Sequence, residues 1–466
     1  MPTAPGRGYA DATGKKTAEA IQHEAACEIT ALLEVIFSGT RKSGTFDLEA
    51  IEMATRAATH QLGAKILEKL FNGLTDYEQA VPCDCGQQGR FHEMRRKQIL
   101  TVLGSITILR PYYLCPYCHQ GQSPRDSELD VKGTEYSPGV RRMMAVVGSE
   151  TSFEHGREEL ELLAGTKVTT KAVERQAEAI GADIVEKEQA QSKRAKQLEL
   201  PEVIGPAVPV LYIEMDGTQV PMVRSELKGR VGRLEGQPAR TREVKLGCVF
   251  TQTTTDEQGR PVRDEASTTY TGAIETAEEF GHRLYTEAWE RGWSRAAKKV
   301  IIGDGAEWIW NLAAQHFPGA IQIVDLYHAR QHLWELARVL FPNAEAKQKR
   351  WMIRQQSKLD AGKIEKLVRS LRTMGTADLQ LADKIRGEAD YFERNAARMR
   401  YPQFRRQKLF IGSGVIEAGC KTVIGSRLKQ SGMFWTVRGA NAIIALRCNR
   451  LSSKFEDYWA SRSKAA

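Results

Sequence analysis

LYIEMDGTQVPM, residues 211–222, decides how the rest of this chain is read. Leu211, Ile213 and Met215 alternate with Tyr212 and Glu214, the period of a strand, and the alternation ends on Asp216 before the turn residue Gly217. Two other stretches have the same form. In VIIGDGAEWIWNL (300–312) the apolar run Val300 to Ile302 leads to Asp304 and Gly305 before a helical pattern begins. In GSGVIEAGCKTVIGSRLKQSGMFW (412–435) Glu417 falls in the first turn of a helix, after the turn-forming Gly412, Ser413 and Gly414. Two strand-end aspartates and one helix-borne glutamate form a donor set for hard divalent cations at a phosphodiester. Mg²⁺ takes oxygen ligands and uses few carboxylates, keeping waters for substrate. Singly, each acid has an ordinary explanation: Asp-Gly after a strand is a common turn, and Glu417 suits a helix N-terminus and can pair with Lys421. The order strand Asp, strand Asp, helix Glu, with 88 residues of mixed strand and helix between the first two, favours a shared site.

Together with VDLYHARQHLWELA (324–337), these stretches resemble the DDE transposases of bacterial insertion sequences, most closely the Kra-type group, a neighbour of the Mutator and hAT families. The resemblance runs from residue 80 or so to the end, and Gly412 to Trp435 is its most specific part. It implies that Asp216, Asp304 and Glu417 are the catalytic triad holding two Mg²⁺ (or Mn²⁺) ions, and that Asp325 and His328 form an auxiliary D-x-x-H element. Asp304 and Glu417 lie 113 residues apart, far more than in compact members of that superfamily, which implies an α/β RNase H-like core split by an all-helical insertion. The implied activity is binding of an element's terminal inverted repeats, strand cleavage and transfer into target DNA, by a homodimer or higher oligomer. The alternative is a catalytically inactive DNA-binding protein, a repressor or architectural factor derived from such an enzyme.

The whole net charge of +9 is concentrated at one end: from Tyr401 onward twelve Lys and Arg face three acids. A basic excess beside a candidate metal site points to a polyanion, double-stranded DNA, because neutralised phosphates release counterions. Within it, Arg427, Lys429, Trp435 and Arg438 are the candidate DNA contacts; Trp435, next to Phe434, is read either as a base-stacking aromatic or as a core residue. No apolar run approaches the roughly 20 residues of a membrane span, and the N-terminus lacks the apolar core of a signal peptide. The expected location is the cytoplasm, on the nucleoid when DNA is bound.

Residues 1–80 read as a helical region, with Ile29, Leu32, Leu33 and Ile36 on one face and Ile51, Ala54, Ala58 and Leu62 on another. In 81–130, Cys83-x-Cys85 and Cys115-x-x-Cys118 flank a hairpin expected over Lys97 to Leu103 and Ile106 to Leu109, around Gly104-Ser105. Two close cysteine pairs beside a hairpin read as a zinc ribbon; the tight first spacer leaves His92 or His119 as a substitute ligand, and CPYC alone as a thiol redox pair. Residues 137–185 read as a helix-turn-helix, with Lys171 and Arg175 on a second helix from Thr170 to Ile180 that could enter a major groove. A polar linker (186–206) precedes the first part of the core (207–340), a helical insertion (341–408) striped by Ile364, Leu367, Val368 and Leu371, and the core's C-terminal part (409–466).

Overall fold

A computed structural model describes residues 41–42, 45–73, 77–197, 199–232 and 239–465, with isolated residues between 19 and 30. The helical pattern read before residue 40 lies largely outside the described residues. The chain forms two compact units, Met1–Ala177 with Asp457–Ala466, and Glu178–Glu456.

In the first unit, α1 (Leu48–Asn72) is N-capped by Asp47, whose side chain accepts from the Ala50 N–H. It packs on an antiparallel sheet of β1 (Ala80–Pro82), β2 (Gln88–Thr101), β3 (Gly104–Leu114) and β4 (Gly121–Gln122), in that order. Ile99, Ile106 and Ile108 bury against Ala64 of α1 and Val131. The hairpin is longer than its apolar residues indicate. Its two-residue turn is Val102–Leu103, closed by the Thr101–Gly104 pair, so Gly104 (φ 125°) opens the return strand instead of forming the turn.

Three helices follow: α2 (Pro138–Glu150), α3 (Phe153–Ala164) and α4 (Thr170–Lys196). Val140, Met144, Leu160, Ala172 and Val173 make their common core. α3 stops at Gly165 (φ 65°), whose N–H bonds back to the Glu161 carbonyl while that of Thr166 reaches Leu160. α4 does not end near Ile180 as its apolar spacing suggests; it runs through most of the supposed linker to Lys196. The reason is tertiary. Ile184 and Ala195 are buried, and at Gly181 a Cβ would fall 2.1 Å from the Ala442 carbonyl oxygen, so the bare glycine lets two helices touch.

The second unit is a mixed α/β structure around a five-stranded sheet in the order β7-β6-β5-β8-β9. These strands are β5 (Val208–Pro221), β6 (Thr241–Gln252), β7 (Thr269–Ala273), β8 (Ala296–Gly303) and β9 (Ile321–Val324). β5, β6 and β7 pair antiparallel, whereas β8 and β9 join β5 in parallel. Val210 to Met215 are all buried, because helices cover both faces; the alternation read in Leu211–Met215 is therefore not a one-sided pattern. Nor does β5 end at Asp216: it pairs with β6 as far as Pro221, and Gly217 is a strand residue. Helices α5 (Ala277–Glu290), α6 (Glu307–His316) and α7 (Leu326–Leu340) alternate with the strands. A wholly helical stretch follows, with α8 (Glu345–Asp360), α9 (Ile364–Arg372) and α10 (Leu379–Arg394), and the stripe Ile364, Leu367, Val368 and Leu371 is buried as expected. The chain returns as α11 (Gly414–Gly419) and α12 (Val437–Leu451). No described helix is long and apolar enough to cross a membrane.

Candidate active site and cysteine cluster

Strand register brings the candidate acids to one level. Ile302 of β8 stands opposite Glu214 of β5, so Asp304, two residues on, is level with Asp216, two residues beyond Glu214. Gly303 pairs with Val324 of β9, which puts Asp325 level with Asp304 on the next strand. Adjacent strands lie about 4.8 Å apart, so three carboxyl-bearing residues occupy neighbouring positions where the parallel ladder stops. Asp216 Oδ1 accepts from the Gly217 N–H (2.7 Å) and Asp304 Oδ1 from the Ala306 N–H (2.8 Å). Burial pushes the Asp216 carboxyl up; the Gly217 N–H opposes this, repulsion from Asp304 adds to it, and His328 is near enough to oppose it. That repulsion is what a bound divalent cation removes, and an all-carboxylate oxygen set suits Mg²⁺ or Mn²⁺.

Glu417 reaches this edge on α11, and two buried acids tie α11 down. Asp325, 1% exposed, uses both oxygens: Oδ1 caps α7 through the His328 N–H (2.7 Å), while Oδ2 accepts from the N–H and the hydroxyl of Ser413. Glu214, fully buried, accepts the Ile416 N–H (2.9 Å) with Oε2, and its Oε1 has no partner. Burial pushes the Glu214 carboxyl up to about 8, the Ile416 N–H opposing and Asp325 and Glu417 reinforcing the rise, so it is mainly neutral at pH 7. Asp325, buried and with both oxygens hydrogen-bonded, is thus an anchor for the Gly412–Glu417 turn, and Glu417 is the exposed acid at the edge. Among the described residues, Asp216, Asp304 and Glu417 are not gathered to the mutual 4.8 Å of a ready-made metal cluster.

Several contributors escaped the sequence reading. Glu214 announced itself only as a charge inside an apolar strand, on the same face as Asp216. Cys420, whose thiol points at Asp216 Oδ2 (3.6 Å), opens a π-helical segment, Cys420–Gly425, that no local pattern reveals. Buried Arg447 serves that segment by donating to the Val423 carbonyl (2.7 Å), the Thr422 carbonyl and the Ser426 hydroxyl (3.0 Å). Tyr391, on α10 of the helical stretch, donates to the Asp304 carbonyl (2.9 Å) and lies where a Cβ on Gly305 would be, 2.7 Å away. Gly305, at φ 99°, is required twice over. His332 stacks on Tyr391 at 4.0 Å and pairs with Glu388 (2.9 Å), with His328 edge-on at 5.0 Å.

Two of the four C-terminal candidates for DNA contact are corrected. Arg427 is fully buried with its guanidinium 5.1 Å from the ring of Trp435, and Trp435 is 6% exposed, donating its indole N–H to the Leu428 carbonyl (3.0 Å). Both are core residues, since a side chain so enclosed presents neither charge nor ring face to a ligand. Lys429 and Arg438 are exposed, Lys429 donating to Thr218 Oγ1 (2.5 Å), and the accessible aromatic is Phe434, 66% exposed. On α4, Lys171 and Arg175 are exposed, Lys171 paired with Glu174 (2.7 Å).

In the first unit Cys83, Cys85, Cys115 and Cys118 bring their sulfurs within 4.8 Å of one another, the only such set of three or more candidate ligands among the described residues. The closest contacts cross between the two pairs, Cys83 to Cys118 at 3.6 Å and Cys85 to Cys115 at 3.7 Å. Four sulfurs around Zn²⁺ at 2.3 Å would stand about 3.8 Å apart, so the quartet fits a metal such as zinc, and CPYC is not a self-contained redox pair. The N–H groups of Cys118 and Tyr117, aimed at Cys115, pull its thiol down to about 6, while at Cys118 the Gln120 N–H is outweighed by burial and by the Cys85 and Cys115 sulfurs, which push that thiol up to about 12. Neither His92 nor His119 enters the set.

The model of an uncharacterised protein family, UPF0236, matches residues 41–456. The chain belongs to that family. No curated protein matches. Among solved structures, the Drosophila P element transposase strand transfer complex is similar at 10% identity, over 69% of this chain and 80% of that one, with a TM-score of 0.22. At that score the likeness carries no argument about this chain.

Proposed function

We propose that this UPF0236 member is a DDE-type DNA transposase with an RNase H-like core. The observation that carries the reading is the convergence at one sheet edge: Asp216 and Asp304 level on adjacent strands, with Glu417 on a helix tied to the same strand through Glu214. Two Mg²⁺ or Mn²⁺ ions there would activate a water or a 3′-hydroxyl as nucleophile and stabilise the leaving oxygen of a phosphodiester. Asp216 and Asp304 would hold them from the sheet and Glu417 from the side. Asp325, Glu214 and Tyr391 keep those three carboxylates in place without touching substrate, and His328 lies near Asp216. The cysteine quartet is read as a structural zinc ribbon, the α3–α4 pair as the helix-turn-helix that reads the element's inverted repeats through Lys171 and Arg175, and Lys429 and Arg438 as phosphate contacts.

The test uses DNA flanking the gene, carrying its inverted repeats, with and without Mg²⁺. Metal-dependent nicking that is lost in Asp216→Ala, Asp304→Ala and Glu417→Ala, with binding to the repeats kept, is the expected result. Repeat binding with no nicking by the wild type under Mg²⁺ or Mn²⁺ would leave the inactive DNA-binding reading in its place.

A further inference from the structure

A second feature of the Glu178–Glu456 unit has no part in the site above. A cleft of about 480 Å³ lies between α4 and the β7–α5 connection, lined by Gln189, Arg230, Arg242, Glu275, Glu279 and Arg283 among others. Its charges divide into two kinds. Arg283 is paired with Glu275 (2.7 Å) and Glu188, while Glu279 closes the capping box of α5 with Thr276. Those acids and that arginine are committed. Arg230 and Arg242 have no ion pair among the described residues, and Glu226, the acid that attracts Arg242, already accepts the Val437 N–H (3.1 Å). Partial burial and the facing Arg230 both push the Arg242 guanidinium down, so the pair repel each other across a partly desolvated opening.

We propose that the Arg230–Arg242 cleft is an anion site that takes a phosphate group of the nucleic-acid backbone. Two guanidinium forks facing one opening match the oxygens of a phosphate, and one phosphate relieves their mutual repulsion. Arg242 lies on β6 opposite Val220, four residues along β5 from Asp216, or about 13 Å at strand spacing. The assignment of the phosphate to DNA rests on the nucleic-acid reading above; the cleft's affinity for phosphate does not.

The test therefore has two arms, on the full-length protein and the variant R230Q/R242Q, with R260Q, an exposed arginine paired with Asp256, as the control for lost charge. In the first arm inorganic pyrophosphate should raise the melting temperature of the wild type and R260Q but not of the double variant. In the second, duplex binding should show a salt slope shallower by roughly 1 to 2 in the double variant and unchanged in R260Q. A pyrophosphate shift confined to wild type and control, with equal DNA slopes for all three proteins, keeps the site and overturns its assignment to DNA, making the ligand a small phosphate. Indistinguishable behaviour of the double variant and the wild type in both arms overturns the cleft altogether. Neither arm depends on strand cleavage, so failure of the transposase reading is seen separately.

Discussion

Glu214 and Asp325 divide the work that the sequence pattern assigned to acids as a class. A carboxyl with a folded pKa near 8 and an unfolded one near 4.3 keeps its proton in the native state while the unfolded chain loses it. Stability therefore falls as pH rises from about 4.5 to 8, by an upper limit of ~4 to 5 kcal/mol, and the effect is absent below pH 4. Glu214→Gln copies the neutral acid and cannot ionise, so its urea midpoint should stay nearly flat between pH 5 and pH 8 where the wild type declines. Parallel declines would show that Glu214 is ionised in the folded chain. At the level of Asp325, replacement by Asn removes acceptors from two Ser413 donors in a buried place, at a cost of about 1 to 3 kcal/mol, and should loosen α11. Asp325→Asn should thus lower the melting temperature and activity together, whereas Glu417→Gln should abolish metal-dependent nicking at wild-type stability. A stable, inactive Asp325→Asn beside an active Glu417→Gln would exchange their roles.

Elements were legible where a local pattern governs them and illegible where a distant partner does. The striped helix Ile364–Arg372 and the strands flanking Asp216 and Asp304 followed from apolar spacing. The extension of α4 to Lys196, the π segment after α11 and the burial of Trp435 each depend on residues farther away in sequence: Ala442, Arg447, and Met222 with Val223. The candidate site was half readable for the same reason. Its acids stand at pattern boundaries, but the hydrogen bonds by which Asp325 and Glu214 tie the Glu417-bearing turn to the sheet span 88 and 202 residues. The helical stretch between Asp304 and Glu417 is a case in point, since its Tyr391 props the Asp304–Gly305 turn. Tyr391→Phe keeps the packing and loses one hydrogen bond, worth about 0.5 to 1.5 kcal/mol. It should cost little stability yet weaken the melting-temperature rise produced by Mg²⁺, and an unchanged rise would reduce Tyr391 to packing.

Across the molecule, two units with separate cores carry two different donor sets, cysteine sulfurs in one and carboxyl groups in the other. The four sulfurs join the β1–β2 connection to the end of β3, at the opposite end of the sheet from the apolar cluster of Ile99, Ile106 and Ile108, where the rings of Tyr77, Phe91 and Tyr113 also pack. A structural zinc there would contribute directly to folding of its own unit. Purified protein should carry one zinc per chain, and stripping it with a strong chelator should lower the transition of the first unit while leaving the second in place. Mg²⁺ should then raise only the second transition, by linkage to the carboxylates, and Asp216→Ala should cancel that rise without altering zinc content. The crossed result decides whether the two sites are independent: a Mg²⁺ response that disappears with zinc would mean that the cysteine-bearing unit is needed to form the carboxylate site, and one zinc-free, fully stable preparation would remove the structural role of the quartet.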